Sequence, residues 1–108
     1  MEKIYRQQVA LLLNVLPEVA KEKCFALHGG TAINLFVRDM PRLSVDIDLT
    51  YLSIEHRESS LKHIAEALER IKANIEKVVP DVHISHRRDA GKLLASANRV
   101  NIKLEVNL

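Results

Sequence analysis

Cysteine is nearly missing from this chain of 108 residues, glycine and proline occur three times each, and no long apolar run is present. The single thiol, Cys24, excludes an internal disulfide. It lies in the apolar run Cys24-Phe25-Ala26-Leu27, where a small buried hydrophobe is expected rather than a nucleophile. His56, His63, His83 and His86 share no ligand spacing with it, which argues against a zinc site. The longest apolar stretch, residues 9–13, falls far short of the roughly 20 residues of a membrane span. No signal peptide is visible either, so a soluble, cytoplasmic protein with no membrane partner is expected. Charge of one sign is also lacking. Lys and Arg number 16 against 14 Asp and Glu, a formal charge of +2, too balanced to argue for nucleic-acid binding by itself. A local cluster, His86-Arg87-Arg88, could meet RNA phosphates or simply be solvated. No repeat or linker divides the chain. An apolar share of 47% provides the core of one domain over residues 1–108, although a chain this short buries only roughly 60–70% of its unfolded surface.

What is present is clear periodicity. Ile4, Leu12, Val15, Leu16 and Val19 fall close to one helical face, which predicts a helix over much of residues 3–22, bent or broken before Pro17. Residues 24–27 read as a buried strand running into Gly29-Gly30. Thr31 can cap a following helix with Ala32, Ile33, Leu35, Phe36 and Val37 as its body, stopped by Pro41. Leu43, Val45, Ile47 and Leu49 alternate with Ser44, Asp46, Asp48 and Thr50, the period of a strand over 43–51. Leu61, Ile64, Leu68, Ile71, Ile75 and Val78 step by three or four, the stripe of an amphipathic helix. Ser53 or Ser59 could cap it, and Pro80 ends it. Val82 and Ile84 suggest another strand, Leu93 and Leu94 are ambiguous, and Val100, Ile102, Leu104 and Val106 alternate in a last one. The expected fold is α+β, a mixed β-sheet with flanking helices. The chain stops at Leu108, at the end of that strand, which suggests a minimal protein or a piece of a longer one.

Asp46 and Asp48 carry the chemistry. Residues i and i+2 of a strand share a face, so the two carboxylates stand side by side, roughly 6–7 Å apart at Cα. Mg²⁺ (or Mn²⁺) suits them, because it takes oxygen ligands from one or two carboxylates together with substrate phosphates. A bare Asp-x-Asp also fits a solvated strand face. Gly29, Gly30 and Thr31 shift that balance. Paired glycines allow close backbone approach to a ligand, and the amides of a helix start favour a phosphate. Glu105 shares a strand face with Lys103 and Asn107. If its strand lies beside Asp46 and Asp48, it completes a triad of acids able to support two-metal catalysis on a triphosphate; otherwise it is an exposed acid paired with a lysine. Arg42 and Lys103 can contact phosphate or be surface cations, and His28 can touch substrate or be a satisfied, partly buried histidine.

The run His28-Gly-Gly-Thr-Ala-Ile-Asn-Leu-Phe followed by Pro41-Arg-Leu-Ser-Val-Asp-Ile-Asp-Leu resembles the AbiEii/AbiGii abortive-infection toxins of the DNA polymerase beta-like nucleotidyltransferase superfamily. Gly29, Gly30 and Thr31 match its glycine turn, and Asp46 and Asp48 match its acidic pair. Arg42 and Ser44 match an Arg-x-Ser-x-Asp-x-Asp form of this branch, and Glu105 resembles the third acidic position. The likeness is concentrated in residues 25–51. It implies a nucleotidyltransferase core that moves a nucleotide from an NTP, with Mg²⁺, onto a hydroxyl of RNA or protein, in a toxin–antitoxin or abortive-infection system with a cognate antitoxin. The related MenT toxins act on the acceptor end of tRNA. Family members are longer, with a mostly helical C-terminal region that has no counterpart in these 108 residues. A truncated, non-catalytic module binding a nucleotide or a partner is the alternative. A glycosyltransferase with a metal-binding Asp-x-Asp is a third reading, disfavoured by small size and by the Gly-Gly-Thr upstream.

Overall fold

The computed structural model describes residues 2–27, 32–37, 41–97 and 99–107, with side chains described at 6, 8–26, 44–97 and 99–107. A helix α1 (Glu2–Ala20) leads into strands β1 (Phe25–Leu27), β2 (Ala32–Val37) and β3 (Pro41–Tyr51). Helix α2 (Arg57–Val78) then crosses to β4 (His83–Arg87), a 3₁₀ turn (Arg88–Ala90), β5 (Lys92–Ala97) and β6 (Val100–Asn107).

The strands lie in the order β1-β3-β6-β5-β4, with β2 also paired to β3. β1 pairs with the last residues of β3 and β2 with the first. The two share one edge of β3 end to end, so six strands fill five positions. Among the described residues only β3 and β6 run parallel; every other pair is antiparallel. The α+β expectation of a mixed sheet with helices packed on it therefore holds.

The alternation in β3 and β6 explains why the sheet has one greasy face. Val45, Ile47 and Leu49 are buried, as are Val100, Ile102, Leu104 and Val106, and they meet Leu93 and Ala95 of β5. Against this face α1 lays Leu11, Leu12, Val15 and Val19, and α2 lays Ile64, Leu68, Ile71 and Ile75. The ends of the α2 stripe fall off the core, since Leu61 and Val78 are exposed. At about 25 cal/mol per Å² of apolar surface, this one layer of contacts supplies most of the folding drive. Both helices sit on the same side, and the Ser44, Asp46, Asp48 and Thr50 side chains of β3 point away from them.

Four local expectations are corrected. Ala32–Val37 is a strand, not a helix. Six residues are too few for a helix that holds itself together, and the free N–H and C=O groups along β3 offer pairing instead. Pro17 lies within α1 and does not break it. It and Leu13, whose carbonyl loses its partner there, are both on the exposed side, where water can replace the missing bond. The residue at the N-cap of α2 is His56, with no side-chain cap, rather than Ser53 or Ser59. β1 occupies an edge, with Phe25 and Ala26 only half-buried, because the partner edge of β3 ends there.

Candidate functional site

The site grows out of one pairing. β3 and β6 run in parallel register with Asp46 opposite Lys103 and Asp48 opposite Glu105. Val45, Ile47 and Leu49 of β3 are buried under the helices, so Asp46 and Asp48 share the open face, both half-buried. Lys103 and Glu105 stand beside them on that face, also half-buried. The triad conditional on neighbouring strands is thus brought together at the level of the strands.

Lysines balance these acids. Lys103 Nζ lies 3.8 Å from Asp46 Oδ1, and Lys92 Nζ lies 3.4 Å from Glu105 Oε2. Lys92 pairs across the sheet with Glu105 and also with Arg87 of β4. One cross-strand row therefore reads Asp48, Glu105, Lys92, Arg87. Among the described residues no three His, Cys, Asp or Glu side chains converge as a metal site; Glu105 is turned to Lys92 and Asp46 to Lys103. The donor set still suits a hard divalent cation, because it is made of carboxylate oxygens only. Each of these two carboxylates already draws a cationic group to it.

The remaining sequence candidates fall as follows. Gly29, Gly30 and Thr31, with His28, lie outside the described residues. Their flanks do not: Leu27 pairs with Leu49 and Ala32 pairs with Asp46. The two described pairings on this edge of β3 thus stop on either side of Asp48, at Leu49 and at Asp46. The helix expected after Thr31 is the strand β2, so no helix dipole at 32–37 acts on an anion there. Ser44 is half-buried on the open face, opposite Asn101 and Asn34 in register. Arg42 pairs with Phe36 near the start of β3, and its side chain lies outside those described.

The basic cluster divides. His86 faces the helices with its side chain 5% exposed, its Nδ1 2.6 Å from Glu69 Oε2 on α2. That hydrogen bond, helped by Lys72 and Arg88, holds the Glu69 carboxyl below the usual glutamate range. Arg88 comes within 3.8 Å of the same carboxylate. Only Arg87 is left to the open face. A second group joins the Tyr51 hydroxyl, donating to Glu55 Oε1 at 2.5 Å, with His63 Nδ1 3.0 Å from the same oxygen. The bond lifts the Tyr51 phenol above its ordinary value and lowers Glu55. Cys24 is half-buried, and burial together with Glu22 pushes its thiol up. That is the opposite of an activated nucleophile.

Lys92 was not legible as a site residue. Its alternation with Leu94 and Ser96 is real, but the Leu93-Leu94 doublet blurs the period, and only the register of β5 on β6 brings it to Glu105.

Among the described residues no helix is long and apolar enough to cross a membrane. No curated protein and no solved structure matches the chain. A family model described as "Nucleotidyl transferase AbiEii toxin, Type IV TA system" matches residues 10–108, a span that takes in the acidic pair on β3, the Gly-Gly-Thr segment and the whole of β6. The chain therefore belongs to the AbiEii nucleotidyl transferase toxin family of type IV toxin–antitoxin systems.

Proposed function

We propose that residues 1–108 form the catalytic core of a metal-dependent nucleotidyltransferase, a cytoplasmic toxin restrained by a cognate antitoxin. It moves a nucleotide from an NTP to a hydroxyl of RNA, tRNA among them, or of protein. The observation that supports this most is the register of β3 on β6. It sets Asp48 against Glu105 with Asp46 one step along, while the flanks of the Gly-Gly-Thr segment join β3 on either side of Asp48.

In this reading Asp46, Asp48 and Glu105 hold Mg²⁺ or Mn²⁺. A bound ion of that kind polarises the phosphoryl oxygens and offsets the charge that builds on the leaving group. The amides of Gly29 and Gly30 and the Thr31 hydroxyl hold the triphosphate, with Arg42, Ser44 and Lys103 as further donors. The acceptor hydroxyl oxygen attacks the α-phosphorus in line. A new P–O ester bond forms, the bond to the bridging oxygen of the β-phosphate breaks, and pyrophosphate leaves. Glu105, the acid farthest along the row toward β5, accepts the hydroxyl proton. Lys103 must release Asp46 as the site loads.

The test is transfer of label from α-labelled NTP with Mg²⁺ against total RNA and protein. Asp46→Ala and Asp48→Ala each abolish it; full transfer in both would end the assignment. The lysine-paired state of Asp46 and Glu105 favours a second reading, a nucleotide-binding module without turnover. It predicts heat of NTP binding in calorimetry with no pyrophosphate released.

A further inference from the structure

The row Asp48, Glu105, Lys92, Arg87 contains a feature the proposed reaction does not use. Its inner half is acidic and its outer half basic. Lys92 is half-buried and Arg87 exposed. They are directly paired residues of antiparallel neighbours, and like charges so placed oppose each other. Lys92 is compensated by Glu105 at 3.4 Å. Arg87 makes no ion pair among the described residues. Within β4 and β5 the open face carries His83, Ser85, Arg87, Lys92, Leu94 and Ser96, and no acid.

The compensation is conditional. Glu105 can serve Lys92 or a divalent cation. If the carboxylate is taken by the cation, two adjacent positive side chains are left without a counter-charge about 5 Å apart, the strand spacing. An anion with several oxygens is what such a pair accepts, and arginine suits phosphate in particular.

We propose that Lys92 is a positioning residue that holds Glu105 while the site is empty, and that on release it joins Arg87 in a phosphate-binding pair at the outer end of the row. This rests on the metal-binding role proposed above for Asp48 and Glu105. The phosphate belongs to the bound NTP or to the backbone of a nucleic-acid acceptor, and both sources present the same chemistry.

Mn²⁺ binding without nucleotide, followed by electron paramagnetic resonance of the free ion, reads the first half. Lys92→Met removes the competitor and tightens Mn²⁺ binding roughly two- to fivefold, the span that a half-exposed ion pair contributes. Arg87→Met, remote from the acids, shifts it less. Calorimetry with Mg²⁺ and a non-hydrolysable NTP, and fluorescence polarisation with a short labelled single-stranded RNA, read the second half. If the phosphate is that of the NTP, the double variant Lys92→Met/Arg87→Met loses NTP affinity and keeps RNA affinity. If it belongs to an acceptor strand, the RNA arm weakens and its salt slope falls by about 0.7 for each phosphate no longer neutralised. Both side chains reach solvent, so a cooperative melt close to that of the parent confirms that the variants fold. Unchanged or weaker Mn²⁺ binding in Lys92→Met overturns the proposal, as does a double variant that keeps both affinities. Asp48→Asn separates the two levels: if it binds Mn²⁺ as the parent does, the metal-site reading itself fails.

Discussion

Asp48→Asn should make the metal-free protein more stable while removing its transfer activity. Asp48 faces Glu105 across the parallel pair β3–β6, and Asp46 lies two residues away on the same face. Two unit charges about 5 Å apart repel by about 0.8 kcal/mol at the dielectric of water. The side chains are partly exposed, 32% for Glu105 and 43% for Asp46, so the water-like figure applies. Cross-strand like-charge pairs fall in the same range of roughly 0.2–1 kcal/mol. Lys92 partly neutralises Glu105, which brings the expected gain to about 0.5–0.8 kcal/mol. For a domain of this size each kcal/mol moves the melting temperature by roughly 4–8 °C, so the shift is about 2–6 °C upward. Asp46→Asn behaves differently. It relieves repulsion from Asp48 but forfeits the ion pair with Lys103 at 3.8 Å, and the two nearly cancel.

The assay is a thermal melt followed by circular dichroism near neutral pH, first in chelator and then in Mg²⁺. In Mg²⁺ the parent gains about 1.4 kcal/mol at roughly ten times the dissociation constant, and Asp48→Asn gains nothing. A variant that melts below the parent in chelator, or whose melting still rises with Mg²⁺, would refute the reasoning. It would mean that Asp48 does not oppose Glu105 on the open face.

Two further outcomes follow from the packing. Ile47→Ala deletes a side chain that is 1% exposed in the core cluster that the sheet shares with the helices. It should cost about 2–5 kcal/mol in urea unfolding, and a loss under about 1 kcal/mol would show that the sheet is not covered there. Stability should also fall on acidification. The Glu69 carboxyl is held low by the His86 hydrogen bond, and Glu55 by Tyr51, so the folded state binds fewer protons than the unfolded chain through the glutamate range. The contribution is present above the ordinary glutamate value of about 4.3 and is lost as pH drops through the lower folded value. Glu69→Gln should flatten the decline of melting temperature as pH falls below about 5; an unchanged slope would remove Glu69 as its source.

Much of the candidate site is local in nature, which is why the sequence displays it. Asp46 and Asp48 share a face because a strand repeats every two residues, and Val45, Ile47 and Leu49 identify the other face as core. The same alternation marks Glu105 and Lys103 on β6, and the stripe from Ile64 to Ile75 marks α2. These patterns need only the chain's own geometry and the cost of leaving apolar groups in water.

Pairing between distant segments needs more. Whether Glu105 lies beside Asp48 depends on β6 entering the sheet next to β3 and not at an edge. Whether Lys92 meets Glu105 depends on the register of β5. The segment 32–37 carries residues compatible with helix or strand, and the free edge of β3 decides for the strand. Likewise His86 and Arg87, neighbours in a basic run, part to opposite faces once β4 is pleated, one to Glu69 and one to the open side. Sequence by itself therefore determined the chemical groups and their faces. Tertiary structure decided which faces adjoin, because strand neighbours and registers are chosen by how the whole core closes, not by any single segment.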